Sequence, residues 1–192
     1  SEMCIRDSAD TLKEPGALIP RGLGRSYGDS SLASHVLETN GLQYLQEFDP
    51  ETGVLACDAG VSLYEILNVF VPQGWFLPVS PGTRFVTLGG AIASDVHGKN
   101  HHIDGTFCEH VISFDIALGN GEIVTASPAQ NPDLFHATCG GMGLTGVIVS
   151  ARIRLKPIVS SDIVETTIKA PNLDAVLDLS LIHISEPTRR YA

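Results

Sequence analysis

PGTRFVTLGGAIASDVHGKNHH, residues 81–102, opens as a proline-glycine turn, passes through small and apolar residues around Gly89 and Gly90, and ends in a basic tail of His97, Lys99, His101 and His102. Small residues from Thr87 to Ser94 leave room for a flat or extended ligand to lie directly on backbone, where a larger side chain would collide. Two further glycine clusters stand at similar joints, RGLGRSYGDSS (residues 21–31) and CGGMGLTG (residues 139–146). In the first, Gly22, Gly24 and Gly28 let successive amides turn into a concave nest for phosphate oxygens, and Arg21, Arg25, Ser26 and Ser30 add charge and hydroxyl donors. Alone, that cluster fits a plain turn as well as a nest. Three such loops, each at an element junction, point to one extended diphosphate ligand that touches several turns.

Outward from these loops the apolar pattern alternates between strand and short helix. ALIPRG (residues 17–22) is a short apolar run closed by glycine. LQYLQEFD (residues 42–49) and VLACDAG (residues 54–60) flank the turn PETG. VISFDIAL (residues 111–118) and EIVTAS (residues 122–127) flank Asn120-Gly121, a strong hairpin signal. SLYEILNVFVPQG (residues 62–74) puts Leu63, Ile66, Leu67 and Phe70 on one helical face, with Ser62 as cap and Gly74 as stop. NPDLFHATCGG (residues 131–141) opens a second helix, Asn131 at the cap and Pro132 at the first helical position. GVIVSARIRLKPI (residues 146–158) reads as a long alternating strand. Asp58 and Asp115, each within or beside a strand, are expected to be structural, ending strands or bonding backbone. The fold class is α+β, with several strands and few helices on one side.

The 192 residues carry a net charge of −10, which gives nucleic acid no attractive field. No apolar run is long enough to span a membrane. The ends read as translated DNA adapter. MCIRDS (residues 3–8) can be encoded by ATG TGT ATA AGA GAC AGC, whose leading bases, read in reverse complement, give LSLIHI, the sequence of residues 179–184. Residues 1–8 and 179–192 are therefore left out of fold reasoning, and without them the charge balance is unchanged. Of the four cysteines, Cys4 lies in such an end; Cys57, Cys108 and Cys139 are widely spaced, an odd set that fits a reducing compartment better than a disulfide framework or a zinc site.

With these residues in view, RGLGRSYGDSS, PGTRFVTLGGAIASDVHGKNHH and GGMGLTGVIVSARI resemble the three flavin-contacting segments of FAD-linked oxidases of the vanillyl-alcohol oxidase superfamily. The middle segment is most similar to the decaprenylphosphoryl-β-D-ribose 2′-oxidases of cell-wall synthesis. The resemblance runs from about Pro20 to Pro157. It implies a PCMH-type FAD-binding domain of two small α+β subdomains over residues 9–158, N-terminally incomplete, with a substrate domain starting at residues 159–178, where PNLDAVLD begins a helix. It also implies that Arg21, Gly22, Leu23, Gly24, Arg25, Ser26, Tyr27, Gly28 and Asp29 wrap the pyrophosphate and flavin edge. Gly82, Thr87, Leu88, Gly89 and Gly90 would contact phosphates and ribityl chain, and Ser94, Asp95, Val96 and His97 would run beneath the ring. Ile148 would contact the adenine end through backbone. His97, Lys99 and Tyr27 match family residues near the flavin face where substrate binds.

The implied activity is oxidation of a secondary alcohol on a sugar, the substrate a polyprenyl-phosphoryl pentose, with a companion short-chain reductase completing an epimerisation. The 192-residue chain by itself is expected to lack that activity. A sugar-lactone or alditol oxidase is the alternative within the family, and a nucleotide-binding module without redox chemistry is the alternative outside it. Arg25 stands where many superfamily members carry the histidine that bonds flavin, so the FAD is expected to be non-covalent. A bacterial cytoplasmic or envelope-associated location follows from the resemblance alone. No metal is expected. His97 and His101 have a helical ligand spacing, but Gly98 lies between them and no cysteine or carboxylate cluster completes a site. A nicotinamide fingerprint needs G-x-G-x-x-G opening a helix, and the spacing after Gly24 is one residue too long.

Overall fold

The computed structural model describes residues 18–165 and 167–185. The N-terminal stretch expected to be adapter-derived, and the C-terminal one from residue 186 on, lie outside those residues. Strand β1 (Leu18–Arg21) pairs in parallel with β2 (His35–Glu38). Strands β3 (Leu45–Asp49) and β4 (Val54–Asp58) pair antiparallel across PETG, where Gly53 takes φ 71° and its N–H donates to the Asp49 carbonyl at 2.8 Å. The Asp49 carboxylate accepts from the Thr52 hydroxyl and the Glu51 N–H, and these bonds, the hydroxyl's first, hold it below the usual carboxylate range.

Helix α1 (Leu63–Phe70) forms where the apolar spacing places it. Ser62 and Glu65 make a reciprocal capping box, the Glu65 N–H donating to Ser62 Oγ at 3.2 Å and the Ser62 N–H to Glu65 Oε2 at 2.8 Å. Leu63, Ile66 and Phe70 are buried and Leu67 packs at the core's edge. The last turn tightens to a 3₁₀ helix, Val71–Gln73, because Pro72 cannot donate, and left-handed Gly74 (φ 84°) ends it. Strand β5 (Trp75–Phe76) follows, then helices α2 (Leu88–Ala93) and α3 (His101–Asp104). Asn120-Gly121 joins β6 (Val111–Ala117) to β7 (Ile123–Ala126) as a hairpin. Helix α4 (Pro132–Thr138), β8 (Val147–Arg154), β9 (Lys156–Pro157) and α5 (Leu173–Ser185) complete the chain.

The main sheet is antiparallel with five strands in the order β3-β4-β8-β6-β7, and β5 pairs separately with β9. Alternation along β8, shifted by a bulge at Val149 where Asp115 pairs with Ser150 and Ile116 with Ile148, sorts its side chains between two layers. Ile148, Ala151 and Ile153 face a core shared with α1, α2 and α4, where Phe114 stacks on Phe135 at 5.2 Å. Val147 and Val149 join a smaller cluster with Leu42 and Ala117, onto which Leu18 of β1 and Leu37 of β2 pack. The helices therefore cover one face and the small parallel pair covers part of the other, the α+β arrangement expected. Among the described residues no helix is long and apolar enough to cross a membrane.

One local reading is corrected. Asn131 stands at the start of α4, but its side chain makes no cap; it is left-handed (φ 52°) and donates from Nδ2 to the Thr125 carbonyl at 2.8 Å, tying the helix to β7. The small-residue run around Gly89, given no element from the sequence, is helical, with Thr87 as cap.

Asp58 ties β3 to β4. It is fully buried, accepts the Tyr44 N–H at 3.1 Å through Oδ2, and accepts Gln46 Nε2 at 2.6 Å through Oδ1. Asp58→Ala strands the Tyr44 donor and is expected to cost about 2 to 3 kcal/mol. Urea unfolding would report a lower midpoint with unchanged slope; a midpoint equal to that of the parent would contradict the bracing role.

Candidate functional site

A groove of about 470 Å³ runs where the three glycine loops meet. Its floor is α2. The N–H groups of Leu88 and Gly89 donate to the carbonyls of Val61 and Ala59, each at 2.8 Å, and the Gly90 N–H donates to Thr87 Oγ1 at 3.1 Å. The first loop lies on the start of this helix, with Gly22 so close to the Thr87 side chain that a Cβ would collide with it. The third loop is strapped to the helix's other end. Gly140 N–H donates to the Ile92 carbonyl at 3.1 Å and Met142 N–H to the Ala93 carbonyl at 2.8 Å. Gly143, at φ 81°, closes the ring against Pro20 of β1.

That arrangement decides which backbone donors face the groove. The amides at the start of α2 are already engaged, so Gly89 and Gly90 present small, largely apolar backbone surface instead. In the first loop the N–H groups of Leu23, Gly24, Arg25 and Ser26 meet no acceptor among the described residues, and these residues line the groove. Successive unpaired amides with a cationic side chain beside them suit an anionic group such as a diphosphate.

Of the residues singled out from the sequence, the groove gathers Gly22, Leu23, Gly24, Arg25, Ser26 and Tyr27 from the first loop. It also gathers Gly82, Thr87, Gly89, Gly90, Ser94, Val96, His97 and Ile148. Six others lie off it. Arg21 packs its guanidinium under Gly24 and reaches the Ser31 carbonyl at 3.5 Å, so it shapes the loop from behind. The Asp29 carbonyl accepts the Leu32 N–H in the outer turn, and Gly28 sits at the loop's open tip. The Leu88 side chain is fully buried in the core. Asp95, strained at φ 38°, accepts the Cys108 N–H at 2.9 Å through Oδ1.

Lys99, the sixth, lines a second cavity of about 450 Å³ that shares Pro81, Gly82 and His97 with the groove. Phe76, Leu77 and Pro78 give it an apolar wall, and Lys156 faces it while pairing with Asp104 at 3.6 Å. Nothing in the sequence marked Lys156, because the β5–β9 pairing that brings it here joins residues far apart. Thr39, Thr138 and Met142 likewise line the groove without a sequence signal. The His97 and His101 rings meet edge to face at 5.7 Å, and among the described residues no three histidine, cysteine or acidic side chains converge as a metal site.

The profile of the FAD binding domain family matches residues 9–127. The chain is 44% identical over 160 residues to the decaprenylphosphoryl-beta-D-ribose oxidase of Mycolicibacterium smegmatis, covering 81% of this chain and 35% of that protein. It is 35% identical over 158 residues to the FAD-dependent monooxygenase drtC of Aspergillus calidoustus, covering 79% of this chain and 28% of the relative. A putative D-arabinono-1,4-lactone oxidase of Neurospora crassa is 28% identical over 142 residues, 72% of this chain and 25% of that one. The chain thus spans about a third or less of the length of these curated relatives.

Gly22→Ala should push the first loop off α2. Overpacking of this kind costs about 1 to 3 kcal/mol, roughly 5- to 150-fold in FAD dissociation constant when it falls on binding. Adding Thr87→Ala should return part of the loss, whereas Gly41→Ala, beside open space, should change nothing. Flavin fluorescence titration measures all four proteins; equal affinities for parent and Gly22→Ala would refute the contact's importance.

Proposed function

The chain belongs to the FAD binding domain family, and from that premise we propose that its groove seats the FAD of a flavin-dependent oxidoreductase that oxidises a secondary alcohol on a sugar, its substrate a polyprenyl-phosphoryl pentose. The observation that carries this reading is the junction at His97, where a groove suited to a dinucleotide and a second cavity flanked by Lys99 and Lys156 share lining residues. The fit of the groove to FAD rests on its own chemistry. Four amides with no acceptor among the described residues, together with Arg25, suit the diphosphate, and the small surface of Gly89 and Gly90 admits a flat or extended ligand.

When bound, FAD supplies a ring that takes up the hydride of a carbinol carbon. The chain supplies position and field around it. His97 faces both cavities and can orient the substrate hydroxyl or hold its proton. Lys99 offers a cation for a phosphoryl group and for alkoxide charge developing beside it. Lys156 is partly neutralised by Asp104 and adds a second, weaker pull. Tyr27 is 96% exposed at the groove's edge and presents a ring and hydroxyl to whatever enters. The phosphorylated-pentose reading is further supported by the substrate named in the oxidase with 44% identity. Such an oxidation leaves a keto sugar, so inversion of the alcohol would call for a separate reductase. A sugar-lactone oxidase is the second reading, favoured by the lactone-oxidase relative; it has no need of the paired lysines.

Two outcomes are expected of the holoenzyme. Because Arg25 occupies the loop position where a flavin-bonding histidine would stand, acid precipitation should release the yellow colour to the supernatant, and colour held in the washed pellet would overturn non-covalent binding. Lys99→Met keeps the stem but removes the cation. It should leave FAD content intact while kcat/KM for a phosphorylated sugar falls by about 1.5 to 3 kcal/mol in transition-state terms. Unchanged kcat/KM would remove Lys99 from the site, and efficient turnover of an unphosphorylated lactone that Lys99→Met leaves intact would favour the second reading.

A further inference from the structure

The two lysines of the second cavity are not equivalent. Lys99 is exposed and meets no carboxylate among the described residues. Lys156 is carried to the same cavity by the pairing of β9 with β5, and its Nζ stands 3.6 Å from Asp104 Oδ2. Asp104 is held where it is. Asn100 Nδ2 donates to that same Oδ2 and also to the Pro78 carbonyl at 2.9 Å, which ties the carboxylate to the cavity's apolar wall. The Asp104 N–H donates to the Asn100 carbonyl at 3.0 Å, and the Asp104 carbonyl accepts from His110 Nε2 at 2.7 Å, so backbone and side chain are both fixed. The Lys156 and Asp104 side chains keep 32% and 31% exposure, too wet for the pair to add much stability. Its effect is on the field: a fixed anion stands beside one of the cavity's two ammonium groups.

That field separates two kinds of phosphate ester. A phosphodiester carries one negative charge, whereas a phosphomonoester, whose second proton has a pKa of about 6, carries nearly two in neutral solution. Withdrawing an ion from water costs free energy that grows with the square of its charge, while the attraction of a cavity grows only in proportion to it. With Lys156 offset by Asp104, the cavity attracts with little more than the single ammonium of Lys99. Such a field compensates the desolvation of a monoanion far better than that of a dianion.

Resting on the reading that a phosphorylated sugar enters this cavity, we propose that Asp104 is a specificity-determining residue, which by holding Lys156 in an ion pair sets the cavity to select a phosphodiester over a phosphomonoester of the same sugar. Asp104 does not itself line the cavity; it acts through Lys156, as a positioning residue. Asp104→Asn keeps an oxygen for Asn100 Nδ2 and removes the charge, Asp104→Glu keeps the charge, and Lys156→Gln leaves the carboxylate unopposed.

The test is an NMR titration of the FAD-loaded protein with a pentose 1-phosphate and with its methyl phosphodiester at about pH 8, where the monoester is a dianion. Asp104→Asn should tighten the diester by about three- to tenfold and the monoester by about the square of that factor, because a dianion feels the lost anion twice over. The diester-to-monoester preference then falls by about three- to tenfold. Asp104→Glu should keep the parent preference, and Lys156→Gln should raise it. Raising the ionic strength should shrink each shift, as it would not if the substitutions had reshaped the cavity. Equal changes for the two esters in Asp104→Asn, a shift that salt leaves untouched, or Asp104→Glu behaving as Asp104→Asn would each overturn the role of Asp104. A parent protein that binds neither ester better than the unphosphorylated pentose would instead overturn the phosphorylated-substrate reading, and this inference with it.

Discussion

The close approach of α2 to the strand-to-helix turn at residues 58–62 governs the rest. Gly89 sits against Ala59, where a Cβ would come within 3.0 Å of the Ala59 methyl, and the adjoining amides bond the Ala59 and Val61 carbonyls. Two glycines in six residues make a poor isolated helix. What holds it are those bonds, the Thr87 cap, and the burial of Leu88, Ala91 and Ile92, which contributes about 1.5 to 3 kcal/mol for each large side chain. Once α2 is fixed, Thr87 sets the height of the first loop and the Ile92 and Ala93 carbonyls set that of the third. The groove is the space these contacts leave.

How much of this could be read in the chain follows from the range of each interaction. The α1 capping box and the Asn120-Gly121 hairpin are local, and the residues that form them are the ones that signal them. That the three glycine loops would meet at one groove was legible for the same reason. Helix α2 was not, because its propensity is weak and its stabilising partners lie in other elements. The parallel pairing of β1 with β2 was hidden in the same way, since β2 is short and largely exposed. Asn131 misled because an asparagine ahead of a proline satisfies a cap pattern, while its amide finds a better acceptor on β7. The position of Lys156 depends on the long-range pairing of β5 with β9 and leaves no periodic trace. Among the expected site residues, Leu88 and Asp95 share the groove segment's sequence but turn toward the core and the 3₁₀ turn, as neighbours on a helix and its exit must.

The charge distribution divides the labour. A chain of net charge −10 offers an anionic cofactor little long-range attraction. The groove compensates at short range with oriented amide dipoles, whose number does not depend on pH. Arg25 adds one cation there, and Lys99 and Lys156 stand beside the apolar wall of the second cavity. On the proposed function, backbone carries most of the hold on the cofactor and side chains discriminate among substrates.

Tyr27, His97 and Lys99 are all exposed, and none of their side chains braces α2. Drift at these positions would leave the groove's frame untouched, because that frame rests on main-chain contacts, on glycines and on the Thr87 cap rather than on the rim. A lineage built on this scaffold can therefore explore new substrates one rim residue at a time while keeping its flavin, so descendants with unlike reactions would be expected to share glycines rather than catalytic side chains.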